Sequence, residues 1–110
     1  MTDLAERRCR ACEGGVPALE PAQAAPLLAQ LPGWEIQGRE LVRTFTFKNY
    51  YRTVAFVNAV AWIAHAEDHH PDIAFGYKTC TIRYSTHSVG GLSENDFICA
   101  AKINLLVNDQ

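Results

Sequence analysis

Thr53-Val54-Ala55-Phe56-Val57-Asn58-Ala59-Val60-Ala61-Trp62-Ile63-Ala64-His65-Ala66 is the stretch that decides the fold; within it only Thr53, Asn58 and His65 are polar. It is too short to cross a bilayer, which asks for about 20 apolar residues. Just upstream, Asn49 is an N-cap residue, because its side chain accepts from the first free backbone N–H groups of a helix. The spacing therefore predicts a helix from about Tyr50 to Glu67. A helix on the outside of a monomer shows a polar face, whereas this one is apolar nearly all round, so it is expected to be buried on two sides. One side covers a sheet. The other has two candidate covers, a second subunit or the amino-terminal arm.

Strands lie on both flanks of this helix. Leu41 to Phe47 alternates, with Leu41, Arg43, Phe45 and Phe47 on one face and Val42, Thr44 and Thr46 on the other. Trp34-Glu35-Ile36-Gln37 alternates too, and Gly38-Arg39 makes the turn of a hairpin. Before it, Ala22 to Leu31 reads as a short helix, interrupted or started late by Pro26 and ended by Pro32-Gly33. Downstream, Asp72–Tyr77 and Thr79–Thr86 form a second strand pair, in which Cys80, Ile82, Tyr84 and Thr86 share a face. Gly90-Gly91 is a loop. Ser93-Glu94-Asn95-Asp96 is an S-x-x-D opening to a last helix with Phe97, Ile98, Ala101 and Leu105 among its apolar positions. The order helix, two strands, helix, two strands, helix predicts an α+β fold: a four-stranded antiparallel sheet with three helices on one face. Residues 1–20 read as an irregular arm and 21–110 as a single domain.

At 110 residues and 48% hydrophobic, the chain is one domain's worth, and self-association would help so small a core. A formal net charge of −2 offers no basic excess for a phosphate backbone and disfavours nucleic-acid binding. Met1 to Arg8 has no apolar run behind its charges, so no secretory signal is expected. The expected location is the cytoplasm, with no membrane contact and with Cys9, Cys12, Cys80 and Cys99 as reduced thiols. Cys9-x-x-Cys12 lacks the second pair of a zinc ribbon and the strand-to-helix setting of a redox motif, so it reads as incidental. Cys80 and Cys99 read as small core residues.

All four histidines, His65, His69, His70 and His87, fall between residues 65 and 87. Histidine both gives and accepts a proton near neutrality. His65 and His69, four apart, would share one face near the end of the long helix. A zincin needs glutamate directly after the first histidine, and Ala66 stands there, so no metal is expected. His69-His70 precedes Pro71, where a helix should end. Two readings stand: both rings turn into one cleft, or both sit exposed at a helix C-terminus that favours them electrostatically. His87 closes a strand just before a loop, where site residues collect. Asp96 caps the last helix, orients a neighbouring imidazole, or does both. No nucleophile elbow or phosphate-binding glycine loop is present.

The run His65, His69, His70, Pro71, Tyr77, His87, Asp96, with Thr86-His87, Gly91 to Asp96 and Pro32-Gly33-Trp34 around it, resembles the pterin-4a-carbinolamine dehydratases over residues 20–106. His65 stands where many members carry glutamate, and Ile73 where some carry an aromatic residue. The resemblance implies elimination of water from 4a-hydroxytetrahydropterin to quinonoid dihydropterin, in recycling of a tetrahydrobiopterin-type cofactor, with no cofactor of the enzyme's own. It implies acid–base roles for His69 and His87, with His70 binding and orienting the pterin. Pro71, Tyr77, Asp96 and His65 join as substrate-binding positions. It also implies a homodimer or homotetramer formed through helices, and an aromatic amino acid hydroxylase in the same pathway. The rival reading on the same scaffold is a protein-binding dimerisation or transcriptional cofactor, which would not require the histidines.

Overall fold

The computed structural model describes residues 4–10 and 17–107. The elements are α1 (Pro21–Leu28), β1 (Glu35–Gln37), β2 (Glu40–Thr46), α2 (Tyr50–Glu67), β3 (Asp72–Phe75), β4 (Thr79–Tyr84) and α3 (Glu94–Leu105), with 3-10 turns at Leu4–Glu6 and His87–Val89. The sheet is antiparallel throughout, in the order β1-β2-β4-β3. The α+β architecture expected from the sequence is the one found. Among the described residues no helix is long and apolar enough to cross a membrane.

Alternation along the central strands sets the core. In the β2–β4 register Leu41 faces Tyr84, Arg43 faces Ile82 and Phe45 faces Cys80. Leu41, Phe45, Cys80, Ile82 and Tyr84 are all buried in one cluster with Val60 of α2 and Phe97, Ile98 and Ile103 of α3. On the opposite face Val42 is buried, and the Thr44 and Thr81 hydroxyls lie 2.8 Å apart. Helix α2 begins where expected: the Asn49 side chain accepts from the Arg52 N–H at 2.9 Å. Its seat on the sheet is aromatic. The Phe56 ring lies 4.6 Å from that of Phe45 and 4.8 Å from that of Phe47.

Helix α1 departs from the sequence reading at both ends. It begins at Pro21, because the Glu20 N–H is satisfied by the Gln23 side chain at 2.8 Å. It stops at Leu28, where the ladder gives way to three-residue turns, Gln30 N–H to Leu27 O and Leu31 N–H to Leu28 O; Pro26 sits inside the helix without breaking it. Downstream, the Asn104 side-chain oxygen accepts from Trp34 Nε1 and from Arg43 Nη1, both at 2.7 Å, which ties β1 and β2 to α3. Gly33 has φ +89, and a Cβ there would stand 2.6 Å from Arg43 Nε. Only glycine lets the chain pass this guanidinium in that conformation.

The amino-terminal arm packs onto the fold. Leu4 is fully buried, and Lys102 Nζ donates to Ala5 O at 2.8 Å. Glu67, at the end of α2, accepts from Cys9 N at 2.7 Å and Arg8 Nε at 2.9 Å. Burial alone would push the Glu67 carboxyl up; the Cys9 N–H, Lys102 and Arg8 override it and hold it below the usual range. Arg7 pairs with Glu94 at the start of α3.

If the phenylalanine cluster joins α2 to the sheet, Phe56→Ala should cost about 3–5 kcal/mol. Urea unfolding should show the midpoint fall with the slope unchanged. A loss below about 1 kcal/mol would mean that α2 is held elsewhere.

Candidate active site

Three chain reversals meet at one carboxylate. Helix α2 ends at Glu67, and Asp68 takes φ 53, the left-handed region that Asp tolerates better than most residues. That cap turns the chain away from the helix axis before Pro71. His69 therefore lies beyond α2, its N–H bonded to Ala64 O at 3.1 Å, while His65 stays on the helix, exposed and 5.9 Å from the Trp62 ring. The expectation that His65 and His69 share a helix face is corrected by this turn.

His69 Nε2 lies 2.6 Å from Asp96 Oδ1. Asp96 is 0% exposed, and its other oxygen accepts from the Thr86 hydroxyl and from the Ser93 N–H, each at 2.9 Å. Asp96 thus both closes the capping box of α3 and holds an imidazole. An ionised carboxylate only accepts, so Nε2 carries a proton and Nδ1 is the nitrogen left to exchange one. The ring stacks on Tyr84 at 5.2 Å and 10°, and the Tyr84 hydroxyl donates to His69 O at 3.2 Å. Burial would lower the His69 pKa; the hydrogen bond and charge of Asp96 outweigh it, and the net direction is up.

A cleft of about 360 Å³ opens here, lined by Arg10, Asp68, His69, His70, His87 and Asn95, with Ser85, Thr86 and Ser88 along the β4 exit. The structure thus brings His69, His70 and His87 together. It does not bring His65, Pro71 or Tyr77 to the cleft walls. Tyr77 sits in the β3–β4 turn, at the far end of β4 from His87, and stacks on Tyr50. Asp96 lies beneath the cleft, bonded to His69. Sequence reasoning missed Tyr84, which the alternation of β4 marked only as core. It also missed Arg10 and Asn95, joined by a hydrogen bond from Arg10 N to Asn95 Oδ1 at 3.1 Å across 85 residues. No local signal connects such a pair. Among the described residues no group of three His, Cys, Asp or Glu side chains could hold a metal ion.

Comparison with known proteins gives a concordant result. The model of the family described as pterin 4 alpha carbinolamine dehydratase matches residues 17–106. A relative from Nitrosomonas eutropha, provisionally named a pterin-4-alpha-carbinolamine dehydratase, is 59% identical over 108 residues, 97% of this chain and 96% of that one. The crystal structure of a transcriptional coactivator/pterin dehydratase from Brucella melitensis superposes with TM-score 0.77 at 31% identity, covering 81% of this chain and 97% of its own. A pterin dehydratase-like protein identified as a RuBisCO assembly factor of the alpha-carboxysome gives TM-score 0.61 at 28% identity, covering 72% and 94%.

Replacing Asp96 by Asn should tip the balance at His69 toward burial. Its pKa, followed by NMR of the ring C–H signals, should drop, because the hydrogen bond and charge of Asp96 are the main influences opposing burial and only the weaker pulls of Cys99 and Asp68 remain. A raised folded pKa stabilises below the unfolded value and is lost as pH rises through the folded one. The stability gap between wild type and D96N should therefore widen as pH is lowered from about 8 to about 6. A gap constant over that range would show that His69 is not charged by Asp96.

Proposed function

The chain belongs to the pterin 4 alpha carbinolamine dehydratase family, and from that premise we propose that it removes water from 4a-hydroxytetrahydropterin to give quinonoid dihydropterin. The observation that carries this reading is the cleft lined by His69, His70 and His87, in which a buried carboxylate holds the first ring. The reaction moves protons and releases water. One group must protonate the departing 4a-hydroxyl, and another must take the proton from the adjacent ring nitrogen. His69 and His87 are assigned to these two jobs. His70 is assigned to binding and orienting the pterin, and Asp96 to positioning His69. No electrons leave the substrate, so the proposed step calls for no cofactor. The cleft volume lies in the range of small-molecule sites.

This reading places the protein in the cytoplasm, recycling the tetrahydrobiopterin-type cofactor of an aromatic amino acid hydroxylase. It includes a homodimer or homotetramer formed through helices. What supports association is the outer face of α2, where Tyr51 is 80% and Trp62 68% exposed, with Leu105 and Leu106 of the α3 end also open. The same face favours the second reading, a protein-binding module, and the coactivator in the name of the Brucella protein belongs with that reading. The histidine cluster weighs for the enzyme, because partner binding does not need it.

Two measurements test the proposal. The rate of dehydration of 4a-hydroxytetrahydropterin over its spontaneous background should rise with the wild type and fall at least about tenfold in His69→Ala and in His87→Ala. No acceleration by folded protein would move the reading to the binding module. In sedimentation, Trp62→Glu should shift the protein toward smaller species; an unchanged distribution would remove α2 from the interface.

A further inference from the structure

Cys9 Sγ lies 3.5 Å from Cys99 Sγ, although the two are 90 residues apart. Neither thiol has a part in the proposed dehydration. The common role of a buried cysteine is inert filling, and Cys80 fits it: burial pushes its thiol up to about 11. The Cys9–Cys99 pair differs in geometry. Cys99 is fully buried on α3, one turn after Asn95 and Asp96. Cys9 is half-buried on the arm that covers it, held by its N–H to Glu67 and by a 3.7 Å contact of its sulfur with Asn95 O. The next residue, Arg10, lines the histidine cleft.

We propose that Cys9 and Cys99 are an oxidative modification site, at which an oxidant of the peroxide class converts the thiol pair to a disulfide that fastens the amino-terminal arm to α3 beside the cleft. The two sulfurs are unequal. The hydrogen bond from Cys9 lowers the Cys99 thiol against the effect of burial, helped by the Tyr84 hydroxyl and by His69. The same bond, followed by burial, raises Cys9. Cys9 is the sulfur that an oxidant reaches, being half-buried where Cys99 is fully buried. As the Cys9 thiol loses its proton, its sulfur takes one oxygen while the peroxide O–O bond breaks, giving a sulfenic acid and hydroxide, which gains that proton as water. The Cys99 sulfur then attacks the Cys9 sulfur; the S–S bond forms, the S–O bond breaks, and the departing hydroxide gains the Cys99 thiol proton and leaves as a second water. The thiols lose two electrons and two protons, and the peroxide becomes two waters. A disulfide spans about 2.05 Å, so the sulfurs must close by roughly 1.5 Å. That movement falls on the half-buried Cys9 segment, beyond the Leu4 anchor, and not on Cys99, which sits within the core on α3.

The bond would close a loop of some 90 residues and fix the wall that carries Arg10. The test uses the reduced full chain exposed to hydrogen peroxide and then freed of it. The expected result is a mass about 2 Da lower, a proteolytic fragment joining Cys9 to Cys99, and a thermal midpoint raised by roughly 5–15 °C and restored by dithiothreitol. Cys12→Ser should keep all three. Cys9→Ser should lose them, and it carries the test if Cys99→Ala folds poorly, because its site is only half-buried. A Cys9–Cys12 bond, a Cys99 sulfinic or sulfonic acid without a cross-link, or intact thiols at peroxide levels that consume a free model thiol would each overturn the proposal. None of these readouts depends on pterin turnover.

Discussion

A carboxylate with no exposure to water must be surrounded by donors, and Asp96 recruits one from each of three places. Ser93 N–H comes from the first turn of α3, the Thr86 hydroxyl from the exit of β4, and His69 Nε2 from the exit of α2. A buried charge left short of partners costs several kcal/mol, a large share of a small domain's net stability. The three segments are therefore not free to drift apart. The catalytic geometry proposed for the cleft is a by-product of satisfying this one group. The capping box alone would have been content with solvent; it is the burial that makes the imidazole necessary.

The sequence exposed most of the fold because its signals are local. Asn49 and the apolar run behind it gave α2 its start, and the alternation of Leu41, Phe45, Cys80 and Ile82 gave the core face of the sheet. Ser93 and Asp96 marked the opening of α3. What could not be read were consequences of backbone state and of long-range meeting. The left-handed Asp68 separates His65 from His69, and four-residue spacing conveys nothing of this because it assumes an unbroken helix. Tyr84 looked like core and is core, yet its ring also fixes His69 by stacking, a contact across 15 residues that no periodicity encodes. Tyr77 fitted the family spacing while belonging to the other end of the strand.

The arm shows the same limit more strongly. Its glycines and prolines gave no pattern, and Cys9-x-x-Cys12 read as incidental. In the fold, Leu4 enters the core and Glu67 collects Arg8, the Cys9 N–H and Lys102 around one side chain. Cys12 lies outside the described residues, so the partner visible for Cys9 is Cys99. Cys9 thus meets a thiol 90 residues away, a contact that no spacing in the sequence encodes.

The charge arrangement around the cleft follows from these tethers. His69 is held by an anion beneath it, while Arg10 and Asp68 bring opposite charges to the rim. His70 and His87 stand exposed at the mouth. Of the three imidazoles, that of His69 has its orientation set by Asp96 and Tyr84, while those of His70 and His87 face solvent. In the proposed dehydration, one ring aligned before the substrate arrives would define the atom at which a proton is transferred. In the same proposal the exposed pair would complete the contacts as the ligand aligns them.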